Sequence, residues 1–179
     1  MKKHLVLIPL LFALLLSGCG NAPRERFEAF SRELAQRDSL SFTARLTASY
    51  PDRSASFTLR YALEGEVQRV TVLAPERISG ITARVEQGGT ALEYDGLILD
   101  TGDLDAYGLT PMSALPLLTD ALRCGHADAF WEEDGCEAVE LQISDHTLAR
   151  VWFREGVPCR AELQSDGRVT VACEIENWS

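Results

Sequence analysis

The chain has 179 residues, with 17 Lys plus Arg against 27 Asp plus Glu and a formal net charge of −10. Its 46% hydrophobic and 25% charged residues are those of a folded globular chain, which excludes wholesale disorder; at this length one domain is the default. The acidic balance argues against a nucleic-acid partner, because no basic patch is available to neutralise phosphates.

Lys2, Lys3 and His4 form a short basic stretch ahead of a 12-residue apolar run, Leu5 to Leu16, interrupted only by Pro9. The run is shorter than the roughly 20 residues that span a bilayer and has the length of a secretory h-region. It ends in Leu16-Ser17-Gly18-Cys19. This resembles the bacterial lipobox, in which small residues precede a cysteine that is acylated and becomes the new N-terminus. The expected organisation is a signal peptide over 1–18, a lipidated Cys19 with a tether over 19–23, and a domain over 24–179. Without Lys2 and Lys3, 15 arginines would face 27 acids, a net charge of −12. Such a domain should stand off an anionic membrane and be held extracytoplasmically by lipid, each buried methylene contributing about 0.8 kcal/mol.

From Pro23 to about Arg37, Phe27, Phe30 and Leu34 form one apolar stripe, which predicts a helix with Pro23 in its first turn. From Leu40 the period changes to two. Leu40, Phe42, Ala44, Leu46, Ala48 and Tyr50 alternate with polar residues, and after a Tyr50-Pro51-Asp52-Arg53 turn so do Ala55, Phe57, Leu59, Tyr61 and Leu63. With Val67 to Leu73 these predict an antiparallel meander with one wet face. Pro75 ends the third strand; Ile81 to Val85 and Ala91 to Tyr94 follow, and Tyr94-Asp95-Gly96-Leu97 predicts a type I′ hairpin. Thr101 to Gly108 reads as an acidic loop. Thr110 then caps a helix with Pro111 at its first position and Met112, Leu115, Leu118 and Leu122 on one face. Pro116 predicts a kink or a later start, and Gly125 a stop. Strands over 138–143, 148–153, 158–163 and 168–175 complete eight or nine in all, joined by turns at Asp134-Gly135, Ser144-Asp145, Glu155-Gly156 and Asp166-Gly167.

Setting Cys19 aside leaves Cys124, Cys136, Cys159 and Cys173, an even number that reads as disulfides in an exported chain. A three-residue loop ending at Gly167 would place Leu163 opposite Val169, Ala161 opposite Val171 and Cys159 opposite Cys173, all on one apolar face. That register predicts Cys159–Cys173 and leaves Cys124–Cys136, each bridge closing a loop worth about 3 kcal/mol; reduced, buried thiols are the alternative. Wide spacings and the absence of a CxxC pair argue against zinc.

Traces of catalysis are few. His126 and His146 lie in loop contexts, and no HExxH, GxSxG or P-loop pattern occurs. Asp100, Asp103 and Asp105 lack the spacing of a calcium loop. The expectation is a non-enzymatic protein with no catalytic residue, no metal and no cofactor. Phe42, Leu46, Phe57, Leu59 and Tyr61 on the first two strands, with Met112, Leu115 and Leu118 on the central helix, are the candidates to line an apolar cavity. The same residues could equally form a packed core under the N-terminal helix.

The order of elements resembles the LolA/LolB/LppX-like lipoprotein superfamily. The local phrases that carry this are Ala74-Pro75-Glu76-Arg77-Ile78-Ser79-Gly80 after a strand, Leu92-Glu93-Tyr94-Asp95-Gly96 with Leu99-Asp100-Thr101-Gly102 in a hairpin, and Thr110-Pro111 with Leu115-Pro116-Leu117-Leu118 in the helix after it. The resemblance spans about Arg24 to Trp178. It implies an α+β fold: a strongly curved antiparallel sheet, an incomplete β-barrel, whose concave face is covered by the N-terminal and central helices and holds lipid chains. Similar lipoproteins of Gram-positive spore formers act in sporulation and germination, at least one type binding a cell-wall amidase. The expected partners are therefore the membrane, through the N-terminal lipid, and a lipid ligand or an envelope protein.

Overall fold

A computed structural model describes residues 22–86, 89–102 and 109–179. The expected signal peptide, Cys19 and the start of the expected tether lie outside the described residues, as do Asp103 and Asp105.

Helix α1 (Ala22–Ala35) buries Phe27 and Leu34 of the expected stripe together with Ser31, while Phe30 is half-buried against the core. Strands β1 (Ser39–Ser49) and β2 (Ser54–Glu64) pair in register along their full length, from Ser39 opposite Glu64 to Ser49 opposite Ser54. Burial along β1 alternates strictly, so Leu40, Phe42, Ala44, Leu46 and Ala48 face inward. Strand β3 (Val67–Ala74) ends at a cis Ala74-Pro75 bond and a single 3₁₀ turn (Glu76–Ile78). Strands β4 (Thr82–Glu86), β5 (Gly89–Tyr94) and β6 (Leu97–Gly102) complete the first half. Helix α2 (Pro111–Cys124) then leads to β7 (Ala129–Glu133), β8 (Cys136–Ser144), β9 (Thr147–Arg154), β10 (Val157–Ser165) and β11 (Arg168–Glu176).

The eleven strands of the described residues form one antiparallel sheet in the order β6-β5-β4-β3-β2-β1-β11-β10-β9-β8-β7. The chain is a meander in each half, and pairing of β1 with β11 fuses the halves. The sheet is open, with β6 and β7 at its edges. Helix α2 touches β3 in one half and β8 in the other, strands six positions apart in the sheet order. Only a sheet that curls round the helix permits both contacts, so the α+β, incomplete-barrel architecture holds. One hydrophobic core fills the concave side, drawing on α1, α2 and inward residues of strands from both halves.

Helix α2 starts at Pro111 and continues through Pro116 to Cys124, so the helix does not start later than Pro111. Its N-terminus is secured by a reciprocal capping box. The Ser113 amide donates to Thr110 Oγ1 at 3.1 Å, and the Thr110 amide donates to Ser113 Oγ at 2.9 Å. Pro116, the sixth residue, lacks the amide that would bond the Met112 carbonyl four residues back. The described residues hold eleven strands against the eight or nine expected; β7 is among those the strand pattern did not predict.

The last hairpin corrects the predicted cysteine pairing. Asp166 and Gly167 both have positive φ, 49° and 75°, in a two-residue turn with Ser165 opposite Arg168. Such a turn would set Leu163 against Thr170, but a β-bulge after Leu163 skips one residue, and Leu163 meets Val171. The apolar face is thereby preserved in a register that places Ala161, not Cys159, opposite Cys173. Cys159 belongs to a second irregularity, between Pro158 and Arg160, and turns to the outer face with Trp152. All four cysteines of the domain are unbridged.

Candidate functional site

Helix α1 does not seal fully against the second half of the sheet. Between them lies a cavity of about 240 Å³, walled by Pro23, Arg26, Phe27 and Phe30 of the helix and floored by Phe130, Val139 and Phe153 of β7, β8 and β9. The phenyl rings meet edge to face: Phe27 lies 5.9 Å from Phe130 and 6.1 Å from Phe153, and Phe30 lies 5.1 Å from Phe153. This geometry satisfies the ring quadrupoles and fixes the lining. The mouth is polar. Arg26 pairs there with Glu137, its Nε donating to Oε2 at 3.1 Å, and the carboxylate raises the arginine's already high pKa. The Arg24 guanidinium sits 5.2 Å over the Phe130 ring. An apolar interior with one charge pair at the rim suits a chain-like apolar body with a polar end. The volume falls below the roughly 300–1,000 Å³ of drug-sized ligand pockets, so it accommodates one short segment rather than a whole lipid.

The residues singled out from sequence lie elsewhere. Phe42, Leu46, Leu59, Tyr61, Leu115 and Leu118 are all at most 2% exposed and belong to the packed core, while Phe57 and Met112 are half-buried against it. Phe42 stacks on Tyr61 at 4.8 Å and on Trp178 at 4.9 Å. The Tyr61 hydroxyl donates to Gln68 Oε1 at 2.9 Å, and Gln68 Nε2 donates in turn to Asp120 on α2 at 3.0 Å. Burial drives the Tyr61 phenol well above its ordinary pKa, so it stays protonated. These residues come together in the half formed by β1, β2 and α2, whereas the cavity lies in the β7–β9 half. Phe27 and Phe30 were visible as a helical stripe and Phe153 as a strand residue. Phe130 stood in a segment not recognised as a strand.

Leu46 and Phe57 also reach an open trough of about 700 Å³ lined chiefly by Arg45, Ser56, Thr58, Arg160, Glu162 and Glu174. Its charges are already paired, Arg45 with Glu174 and Glu176, and Arg160 with Glu162. His126 and His146 are exposed, His146 lying 3.5 Å from Asp166 between two turns. No group of three or more His, Cys, Asp or Glu side chains suited to a metal occurs among the described residues.

The cysteines separate by environment. Cys124 is exposed at the end of α2. Cys173 faces the core opposite Leu46 and Ala161, and burial pushes its thiol up to about 12. Cys136 and Cys159 lie on the outer face in a small second cluster with Ala138, Trp131 and Trp152. The Glu133 carboxylate accepts both indole N–H groups, from Trp152 at 2.8 Å and Trp131 at 3.3 Å, and these bonds hold its pKa below the ordinary value.

No protein-family model and no curated protein sequence matches the chain. Solved structures do match. A LolA superfamily protein from Nitrosomonas europaea aligns with a TM-score of 0.51 at 11% identity, covering 87% of this chain and 91% of its own. An uncharacterized conserved protein from Thermus thermophilus aligns with a TM-score of 0.51 at 10% identity, covering 87% and 86%. At these identities the likeness is one of fold: the chain has a LolA-like architecture over nearly the whole described domain.

Proposed function

We propose that this protein is a membrane-anchored extracytoplasmic lipoprotein that binds an apolar ligand, a lipid or acyl chain, on its LolA-like sheet. The observation that carries this reading is the phenylalanine-lined cavity between α1 and β7–β9 with Arg26 and Glu137 at its mouth. An acyl segment would exchange water for the faces of Phe27, Phe30, Phe130 and Phe153, at roughly 0.8 kcal/mol for each methylene removed from water. The lipobox-like Leu16-Ser17-Gly18-Cys19 supplies the anchor, and the acidic domain hangs from it. Native mass spectrometry of the full chain extracted from membranes tests the binding. The expected result is a bound acyl-containing molecule that is lost in Val139→Phe, where a phenyl ring enters the cavity. Retention of the same molecule by a folded Val139→Phe protein would refute this site.

A second reading, an interaction module that regulates a cell-envelope or spore cell-wall enzyme, draws on the sheet edge. In β6, Leu97, Ile98 and Leu99 are 75%, 71% and 63% exposed, consecutive residues that present apolar surface on both faces of an edge strand. Exposed apolar edge strands are surfaces on which other strands add. Recovery of one stoichiometric envelope partner by the wild type but not by Ile98→Lys favours this reading; recovery unchanged by the substitution refutes it.

A further inference from the structure

The rim of the phenylalanine-lined cavity belongs to one end of the domain. Its lining includes Pro23 in the first turn of α1 and the turn residues Gly135, Glu155 and Gly156. The β7–β8 and β9–β10 turns fall at the same end, because β7, β8, β9 and β10 are antiparallel neighbours. Arg26 ties the start of α1 to Glu137 at the beginning of β8. The edge-to-face contacts of Phe27 and Phe30 with Phe130 and Phe153 seat the helix on the strands. The start of α1 therefore has a fixed place beside the mouth.

Covalent geometry then limits how far this mouth can lie from the anchor. Cys19 precedes Ala22, the first residue of α1, by three residues. Three fully extended residues span at most about 11 Å. A bilayer that holds a lipid on Cys19 lies within that distance of the start of α1, and the mouth is beside it. Charge alone would not bring the domain there. Its 27 acids against 15 arginines disfavour free approach to an anionic leaflet. A short tether overrides this, because it makes the encounter intramolecular, with an effective concentration that falls steeply as the tether lengthens.

We propose that the cavity is loaded from the same bilayer that anchors the protein. The end of the domain formed by the start of α1 and the β7–β8 and β9–β10 turns faces the membrane, and one acyl chain of a neighbouring lipid rises into the cavity. This rests on the acyl-binding reading above and adds the source of the ligand and the surface that meets it. A cavity of about 240 Å³ takes one chain segment, so the rest of the lipid stays in the leaflet with its headgroup beside Arg26 and Glu137.

The test compares the lipidated protein with a spacer variant carrying about twenty Gly and Ser residues inserted between Gly20 and Asn21, a spacer of roughly 25 Å r.m.s. reach. Both are reconstituted in phosphatidylcholine vesicles in which a small fraction of the lipid bears a diazirine on one acyl chain. Illumination and mass spectrometry of the peptides read the cross-links. In the wild type these should fall on α1 and β7–β9, and in the spacer variant their yield should drop at least about fivefold. In detergent micelles containing the same lipid the two proteins should cross-link equally, which shows that the spacer leaves the cavity intact. Equal yields in vesicles overturn loading from the anchoring bilayer and leave the acyl-binding reading standing. An intact mass without lipid on Cys19 also overturns it. Absence of cross-links from the wild type in micelles and vesicles alike overturns the acyl-binding reading, and this inference with it.

Discussion

Gly125 joins the two helices, and its replacement by alanine should loosen the wall of the cavity. Gly125 ends α2 with φ of 69°, in the left-handed region, and a Cβ there would lie 2.5 Å from Ser31 Oγ and 3.2 Å from Ser31 Cβ on α1. Two effects follow. The left-handed conformation costs alanine about 1 kcal/mol or a little more. The clash also displaces the Ser31 hydroxyl, which donates to the Arg123 carbonyl at 3.3 Å; losing that bond costs about 1 kcal/mol. Together they give about 2–3 kcal/mol, a fall in Tm of roughly 5–10 °C for a domain of this size. Asparagine tolerates the left-handed region, so Gly125→Asn should retain the clash and lose only about 1–2 kcal/mol. Removing the hydroxyl relieves the closest contact, so Ser31→Ala and Gly125→Ala should couple by about 1 kcal/mol in a double-mutant cycle. Urea denaturation measures all four. A cost below about 0.5 kcal/mol for Gly125→Ala, or strict additivity with Ser31→Ala, would refute the contact as the cause.

Cys173 predicts an alkaline limb of stability. Its thiol is raised from 9.0 to about 12 in the fold, so its contribution is complete below about pH 9 and is lost as pH rises towards 12. The loss is about 1.4 kcal/mol per pH unit, and Cys173→Ala should flatten that limb in denaturation series between pH 8 and 11. A thiol reagent should label exposed Cys124 fastest and Cys173 only on unfolding; equal rates would contradict their placement. Leu118, fully buried on α2, should cost about 2–5 kcal/mol as Leu118→Ala, measured by urea denaturation. Ile98→Lys on β6 should leave Tm unchanged in thermal denaturation, because the side chain is 71% exposed on a strand that is outermost among the described residues.

The strand pattern was legible where one face is dry. In β1, burial alternates from Leu40 to Ala48 with no exception, and the register with β2 runs without a bulge. The capped start of α2 at Thr110-Pro111 was equally plain, although the reciprocal role of Ser113 was not. Bulges were illegible, because one inserted residue changes the partner of every residue beyond it and leaves no mark in composition. That is why Cys159 was set opposite Cys173 when the bulge after Leu163 places Ala161 there. The cavity escaped for a different reason. Its lining joins the first described helix to strands that follow much later in the chain, and proximity of that kind is created by the β1–β11 pairing. The candidates Phe42, Tyr61 and Leu118 are the inward residues of single periodic elements, and all three are buried in the one core.

The pairing of β1 with β11 also sets how the domain carries mechanical load. The strands are antiparallel, so the start of β1 and the end of β11 lie together, and Ser41 and Ser179 exchange two backbone hydrogen bonds of 3.0 and 2.9 Å just beyond the Thr43–Glu176 pair. Tension between the two termini opens this ladder from that end, one residue pair at a time, as a zipper rather than in shear. The Ser41–Ser179 pair is its first tooth, with Trp178 stacked against Phe42 beside it. Tension drawn through the N-terminus alone enters α1 and the start of β1 and leaves the C-terminal strand unloaded. A domain suspended from its N-terminus thus keeps its central seam closed, and the same seam parts first when both ends are pulled.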